Sequence, residues 1–385
     1  MKNVSLILIM LAALPLTGMS QTISFTHTPQ NYIAGSIDLG QGFAGAITVD
    51  PDNPDIIYAS VGYWQHMSVV RINLSDESVE TAASGYFGSI GGMAAPGPNQ
   101  LIILDNDDNT TSSIPGETIL LCTDKNTDGD FDDPGEIEEL IQPILTSGGD
   151  FTGAQAMIVP DGDPYGIPSG SMIFQTADGS GNSEVCIVTE PTSSTTAQFF
   201  PAGVAFFSGF DYNGGLAFDW QGRLYCGAAN DSWTGEVYAL VNLDYDNKID
   251  PGEYNDVVTS ETLFGGISDI TMADRSSLLV ATNPWTGMQI KNCEIEYQET
   301  MNGVNILEDD VPLTDFADTD SPWITNILIN SKDYWFFPIQ PTTGDGDPFA
   351  TLIIGGYASG WAPATNLLTL QETVDSSVEE WGLYR

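Results

Sequence analysis

The amino-acid sequence predicts an all-β fold, a six-bladed β-propeller of four-stranded blades. Three observations carry this. Helical periodicity is scarce along the 385 residues, while β-branched and aromatic runs of strand length alternate with Gly, Pro, Asn and Asp. A unit made of a small or glycine-rich pair, an apolar strand, a polar turn and a second strand recurs six times. Its starts lie 47 to 62 residues apart, the spacing of one propeller blade with loop insertions.

In chain order the units are Ala44-GAITVDPDNPDIIYASV, Gly91-GMAAPGPNQLIILDN, Thr152-GAQAMIVPDGDPYGIPSGSMIFQT, Gly214-GLAFDWQGRLYCGAAN, Gly265-GISDITMADRSSLLVATN and Ser321-PWITNILINSKDYWFFPI. A third strand follows in several, as in Glu117-TILLCT, Ser183-EVCIVT, Glu236-VYALVN and Ala350-TLIIGG. Radial closure allows so many short strands without exposed sheet edges. The last blade is expected to be completed by Thr22 to Thr28, with Asn366 to Gln371 as the rival strand. The propeller domain is therefore expected over 21–372, followed by a tail over 373–385.

Residues 1–20 read as a secretory signal: Lys2 gives the positive start, Val4 to Leu16 is apolar, and Gly18 and Ser20 precede a cut before Gln21. The expectation is export without membrane insertion, because the apolar run is short for a bilayer span. Cys122, Cys186, Cys226 and Cys293 lack the spacing of a zinc or redox motif and sit in apolar strand-like runs, where free Cys acts as a small hydrophobe.

Nine Lys plus Arg stand against 53 Asp plus Glu, a formal charge of −44. Nucleic-acid binding, which draws on Lys and Arg at phosphates, is excluded as a function class, and an anionic surface is disfavoured. Cations remain attractive. Two acidic segments have the alternation of oxygen ligands that calcium requires. The first, Asp124-KNTDGDFDDPGE, offers Asp124, Asn126, Asp128, Asp132 and Glu136, with Asp133 as the alternative to Asp132. The second, Asn242-LDYDNKIDPGE, offers Asn242, Asp244, Asp246, Asp250 and Glu253 at places 1, 3, 5, 9 and 12 of an EF-hand-like register. Both follow a third strand and precede a fourth, so Ca2+ is expected in hairpins rather than between helices.

Turns between second and third strands belong to the opposite end of a propeller. There the sequence places Trp64, Trp233 and Trp285, with Asp211, Asn213, Asp269 and Trp323 at inner-strand starts expected at the same mouth. Aromatic faces with Asn and Asp suit a glycan or another small neutral ligand; the same Trp residues also suit packing between blades.

The stretch Gly214-GLAFDWQGRLYCGAANDSWTGEVYAL resembles a blade of the NHL, SMP-30/gluconolactonase and soluble sugar-dehydrogenase group of six-bladed propellers. The other units are similar in pattern. The resemblance implies a metal-dependent lactonase as one activity, with Asn213 and Asp269 as ligands at the channel. With His27 and His66 the only histidines and no G-x-S-x-G present, a Ser-His-Asp hydrolase is poorly supported. A propeller phytase would need more cationic side chains than this chain has. The leading expectation is a secreted calcium-binding propeller acting as an extracellular binding or scaffold module; the alternative is a metal-dependent hydrolase or lactonase.

Overall fold

The structure, a computed structural model, describes residues 32–357 apart from 108–115, 142–152, 163, 178–182, 190, 193–206, 211, 220, 230–234, 247, 259–265, 274–276, 284–287, 296, 300–304, 308–312, 320–322, 325, 330–333 and 341–348. The expected signal, the tail over 373–385 and both candidate closing segments lie outside the described residues.

An all-β propeller is what folds. Five antiparallel four-stranded sheets follow one another along the chain. The first blade comprises Phe43–Val49, Ile56–Tyr63, His66–Asn73 and Ser78–Phe87. The second comprises Ile90–Ala94, Gln100–Asp105, Thr118–Thr123 and Ile137–Ile141. The third has Gly153–Ile158, Met172–Ala177, Ser183–Val188 and Phe207–Phe210. The fourth has Tyr212–Phe218, Leu224–Ala229, Gly235–Leu240 and Tyr254–Val258. The fifth has Gly266–Met272, Ser277–Asn283, Met288–Glu294 and Leu313–Thr319.

The expectation of six four-stranded blades is thereby corrected to five. Two further sheets remain: the two-stranded pair Tyr297–Glu299 and Asn305–Leu307, and a closing sheet of five strands that draws on both ends of the described chain, in which Tyr32–Gln41 pairs with Phe349–Tyr357, which pairs with Tyr334–Gln340. Its innermost strand is split into Trp323–Ile324 and Leu328–Ile329, both paired with Tyr334–Gln340. The register gives the reason. Ile324 faces Ile339 and Leu328 faces Phe336, so three residues oppose Phe337 and Pro338. Pro338 has no N–H to give to a ladder. This sheet packs between the fifth blade and the first.

Alternation places both faces of a middle strand in cores. In the second blade Leu101 and Ile103 join the apolar cluster shared with the first blade, whereas Ile102 and Leu104 join the cluster shared with the third. The unbroken run Leu101–Leu104 is thus a strand buried on both sides. The same logic absorbs the four cysteines, all free and buried; burial pushes the Cys226 thiol up to about 12.

The recurring small pairs mark a shared irregularity. Every inner strand of the five blades shifts register there, at Ala44/Ile47, Ile90/Gly92, Ala154/Ala156, Asn213/Leu216 and Ile267/Asp269. The bulges let neighbouring inner strands close in around the axis. A Cβ on Gly91 would lie 1.9 Å from the carbonyl oxygen of Gly153 on the next blade. Among the described residues the one helical element is the turn Pro164–Gly166, and no helix is long and apolar enough to cross a membrane.

Candidate functional site: paired acidic hairpins and a bridged channel

The two acidic segments form the hairpins between third and fourth strands of the second and fourth blades, and they are built alike. Thr123 N–H donates to the Glu136 carbonyl and Val241 N–H to the Glu253 carbonyl, each at 2.8 Å. The fourth residue of each loop is left-handed although it is not glycine, Thr127 at φ 63 and Tyr245 at φ 64. Each terminal glutamate braces its loop from within. Glu136 accepts the N–H groups of Lys125 (2.7 Å) and Asp133 (3.3 Å). Glu253 accepts those of Leu243 (2.7 Å), Asp244 (3.3 Å) and Asp250 (2.9 Å). Both glutamates thus spend their carboxylates on backbone amides, and no helix flanks either loop, so the EF-hand likeness is unsupported.

Each loop is also pinned by its eighth residue. Phe131, 2% exposed, enters the cluster between the first and second blades beside Tyr58, and its N–H donates to the Ala82 carbonyl. Ile249 enters the corresponding cluster between the third and fourth blades. Asp132 accepts the Ser84 N–H at 2.9 Å from the blade before. Tyr245 crosses in the same direction, its ring lying against Gly166 of the third blade. Each hairpin therefore spans two blades. An apolar residue at place eight of a polar loop was the signal for this, and the sequence reading passed over it.

At the first place the loops differ. Asp124 turns into its loop and accepts the N–H groups of Thr127 and Gly129, at 2.5 and 2.9 Å. Asn242, in the same place, is 1% exposed and neither its amide oxygen nor its nitrogen has a hydrogen-bond partner. Asp244, Asp246 and Asp250 each bring a carboxylate oxygen within 4.8 Å of the others. Lys248 lies 2.8 Å from Asp250. In the first loop Asn126 donates to Asp128 and Asp133, at 2.9 and 2.6 Å. The Asp133 carboxyl is raised above its usual range by desolvation, then by the charges of Glu136, Asp128, Asp130 and Asp124.

The axis holds a cavity of about 530 Å3, walled by the five blades and the closing sheet through such residues as Ile47, Ala94, Met157, Leu216, Ile270 and Ile327. Its lining comes from the C-terminal halves of the inner strands. First and third strands of a blade run in the same direction, so this end also carries the acidic hairpins. The channel is bridged by side chains. Asn326 of the closing sheet donates to Gln155 Oε1 of the third blade at 2.5 Å, and Gln155 Nε2 donates to the Ser268 carbonyl at 3.2 Å. Gln155 stands at the bulge of its strand with φ 46, where the second and fourth units carry glycine. Asp269 lies beside them, 3% exposed, accepting the Ile327 N–H at 2.6 Å; burial holds its carboxyl well above the usual range. At the rim Asp219 pairs with the buried Arg223 at 2.8 Å and accepts the Tyr225 hydroxyl at 3.2 Å.

Of the residues expected at an aromatic mouth, the structure describes only some. Trp64 is 71% exposed on the turn after the second strand of the first blade, and its indole N–H donates to Asp107. Asn213 is the second residue of the fourth blade's inner strand, with its amide oxygen buried and unpartnered. Asp269 lies in the channel instead of at the strand start. Trp323 is on the split inner strand; Asp211, Trp233 and Trp285 lie outside the described residues. Gln155 and Asn326 were not singled out in the sequence. A Gln in the glycine place of the third unit was the available sign.

No protein-family model matches the sequence, and no curated protein does. Among solved structures, the PQQ-bound aldose sugar dehydrogenase of Streptomyces coelicolor is similar in fold, with a TM-score of 0.54 and 12% identity over 85% of this chain and 99% of that one. A chain of a nidogen/laminin complex aligns with a TM-score of 0.46 and 11% identity over 73% of this chain and 96% of that one. A putative gluconolactonase gives a TM-score of 0.44 and 12% identity over 86% and 98%. At such identities the sugar dehydrogenase shares the architecture and lends no residue roles.

Proposed function

We propose that this chain is a secreted β-propeller whose acidic hairpins bind calcium and clamp neighbouring blades, and that it works as an extracellular binding module. The observation that carries the calcium reading is Asn242. A buried amide with no partner costs about 1–3 kcal/mol, and here it heads a loop with three carboxylates within reach of one ion. A hard cation wants six to eight oxygens. Asn242, Asp244, Asp246 and Asp250 supply the second site; Asp124, Asn126, Asp128 and Asp132 supply the first. Glu136 and Glu253, bonded to the loop amides, brace these sets. The closing sheet serves as the sixth blade, residues 1–20 direct export, and the exposed ring of Trp64 offers a face to a glycan.

The binding reading is preferred over a lactonase on the composition of the channel. A hydrolytic metal there would need several carboxylate or amide oxygens converging on one point. Among the described residues the group of three carboxylates that could hold an ion is on the outer hairpin, while Asp269, Gln155 and Asn326 are engaged with backbone and with one another.

Calorimetric titration of calcium into chelator-stripped protein tests the proposal. Saturable binding is expected, and Asn242→Leu removes the second site while melting no lower than wild type in chelator. Absence of calcium binding, or an Asn242→Leu titration identical to wild type, refutes it.

A further inference from the structure

The axial cavity is independent of the hairpin metal sites and of the aromatic turn, and it has the make-up of a small-molecule site. Ligand pockets run from about 300 to 1,000 Å3, mostly apolar with a few polar groups that fix orientation. This one encloses about 530 Å3. Its walls are mostly aliphatic side chains from the five blades and the closing sheet, with Thr48 and Thr271 on the wall and Asp219 at the rim, and Gln155, Asn326 and Asp269 stand together at the bulge level.

From this we infer that the channel binds one uncharged, largely apolar small molecule, inserted from the end that carries the acidic hairpins, its single hydrogen-bonding group meeting Gln155 and Asn326. Three observations select that chemistry. The bridge from Gln155 to Asn326 joins sheets on opposite sides of the axis, so the cavity has a floor and the ligand enters from one end. The nearest ion pair at the rim, Asp219 with Arg223, is internally neutralised and buried, so the wall offers no free charge to a charged head. The Asp269 carboxyl is buried and turned to the backbone, accepting the Ile327 N–H, and the surrounding charge of −44 repels anions. Gln155 holds a left-handed backbone, at φ 46, that a non-glycine residue adopts only at a cost, and its side-chain amide is thereby placed on the axis.

The test uses the full chain with the neutral fluorophore N-phenyl-1-naphthylamine. One saturable site per chain is expected. Decanol should displace the probe, and decanoate should do so at least tenfold more weakly. Thr48 and Thr271 are half-buried wall residues on different blades, so Thr48→Trp and Thr271→Trp each fill the cavity without forcing a packed core. Each should weaken probe binding at least tenfold with an unchanged melting temperature, and either variant suffices if the other does not fold. Trp64→Ala should leave binding unaltered. Absence of a saturable site, wild-type affinity in a folded filling variant, equal displacement by decanoate, or loss of binding in Trp64→Ala overturns the inference. Calcium titration of the same filling variants should match wild type, which separates failure here from failure of the metal proposal.

Discussion

Asp105 ends the second strand of the second blade, where it is 1% exposed and accepts the N–H groups of Gly88 and Ser89 at 2.9 to 3.2 Å. Burial raises its carboxyl to about 6 despite those bonds. The folded pKa thus exceeds the unfolded one, so the neutral form favours folding. Its contribution is complete below pH about 3.8 and is lost as pH rises through about 6, on the order of 3 kcal/mol for two pH units. Asp105→Asn should flatten the pH dependence of stability between pH 4 and 6.5 in urea unfolding. An unchanged slope would show that other groups set it. Residues of this kind were hidden in the sequence, because one Asp among so many carries no sign of burial. Asp269 shows the same limit: its acid type and strand were legible, but its position on the axis comes from a bulge and from the closing sheet. Asn242 was legible as a loop residue by spacing alone, and its unpartnered state belongs to packing.

At the scale of elements the acidic hairpins act as straps. Phe131 and Ile249 each carry one blade's hairpin into the core of the blade before. Truncation leaves a cavity, and Phe131→Ala should cost about 3–5 kcal/mol and Ile249→Ala about 2–5 kcal/mol. Denaturant unfolding measures the loss. A cost below about 1 kcal/mol for both would mean the hairpins merely lie on the surface. The sequence displayed these loops clearly, since alternating Asp and Asn ending in Pro-Gly-Glu survives any inspection by spacing. The role of their terminal glutamates was not visible, because a carboxylate at that place serves a metal or a backbone amide equally well, and only the folded loop shows where the amides point.

For the whole molecule, the five regular blades were readable because each repeats its bulge and its doubly buried middle strand. In the last sheet the sixth unit and its third strand were readable as well, but the outer strand was not, because it comes from Tyr32–Gln41, far away in sequence. Ring closure rests on that strand: Ile37 and Leu39 lie in the cluster that joins the closing sheet to the first blade. Deleting residues up to Gln41 exposes the edge of Phe349–Tyr357, an unpaired template. The shortened protein should elute as aggregate in size-exclusion chromatography; a monomer with wild-type melting would show that the ring closes without it. The central claim is that calcium ties blades together through the two hairpins. Differential scanning calorimetry in excess calcium against excess chelator tests it most directly. At a hundredfold excess over the dissociation constant each site adds about 2.7 kcal/mol, so the calcium form should melt several degrees higher, with about half of that gain lost in Asn242→Leu, which keeps the first site. Identical melting with and without calcium would contradict the account.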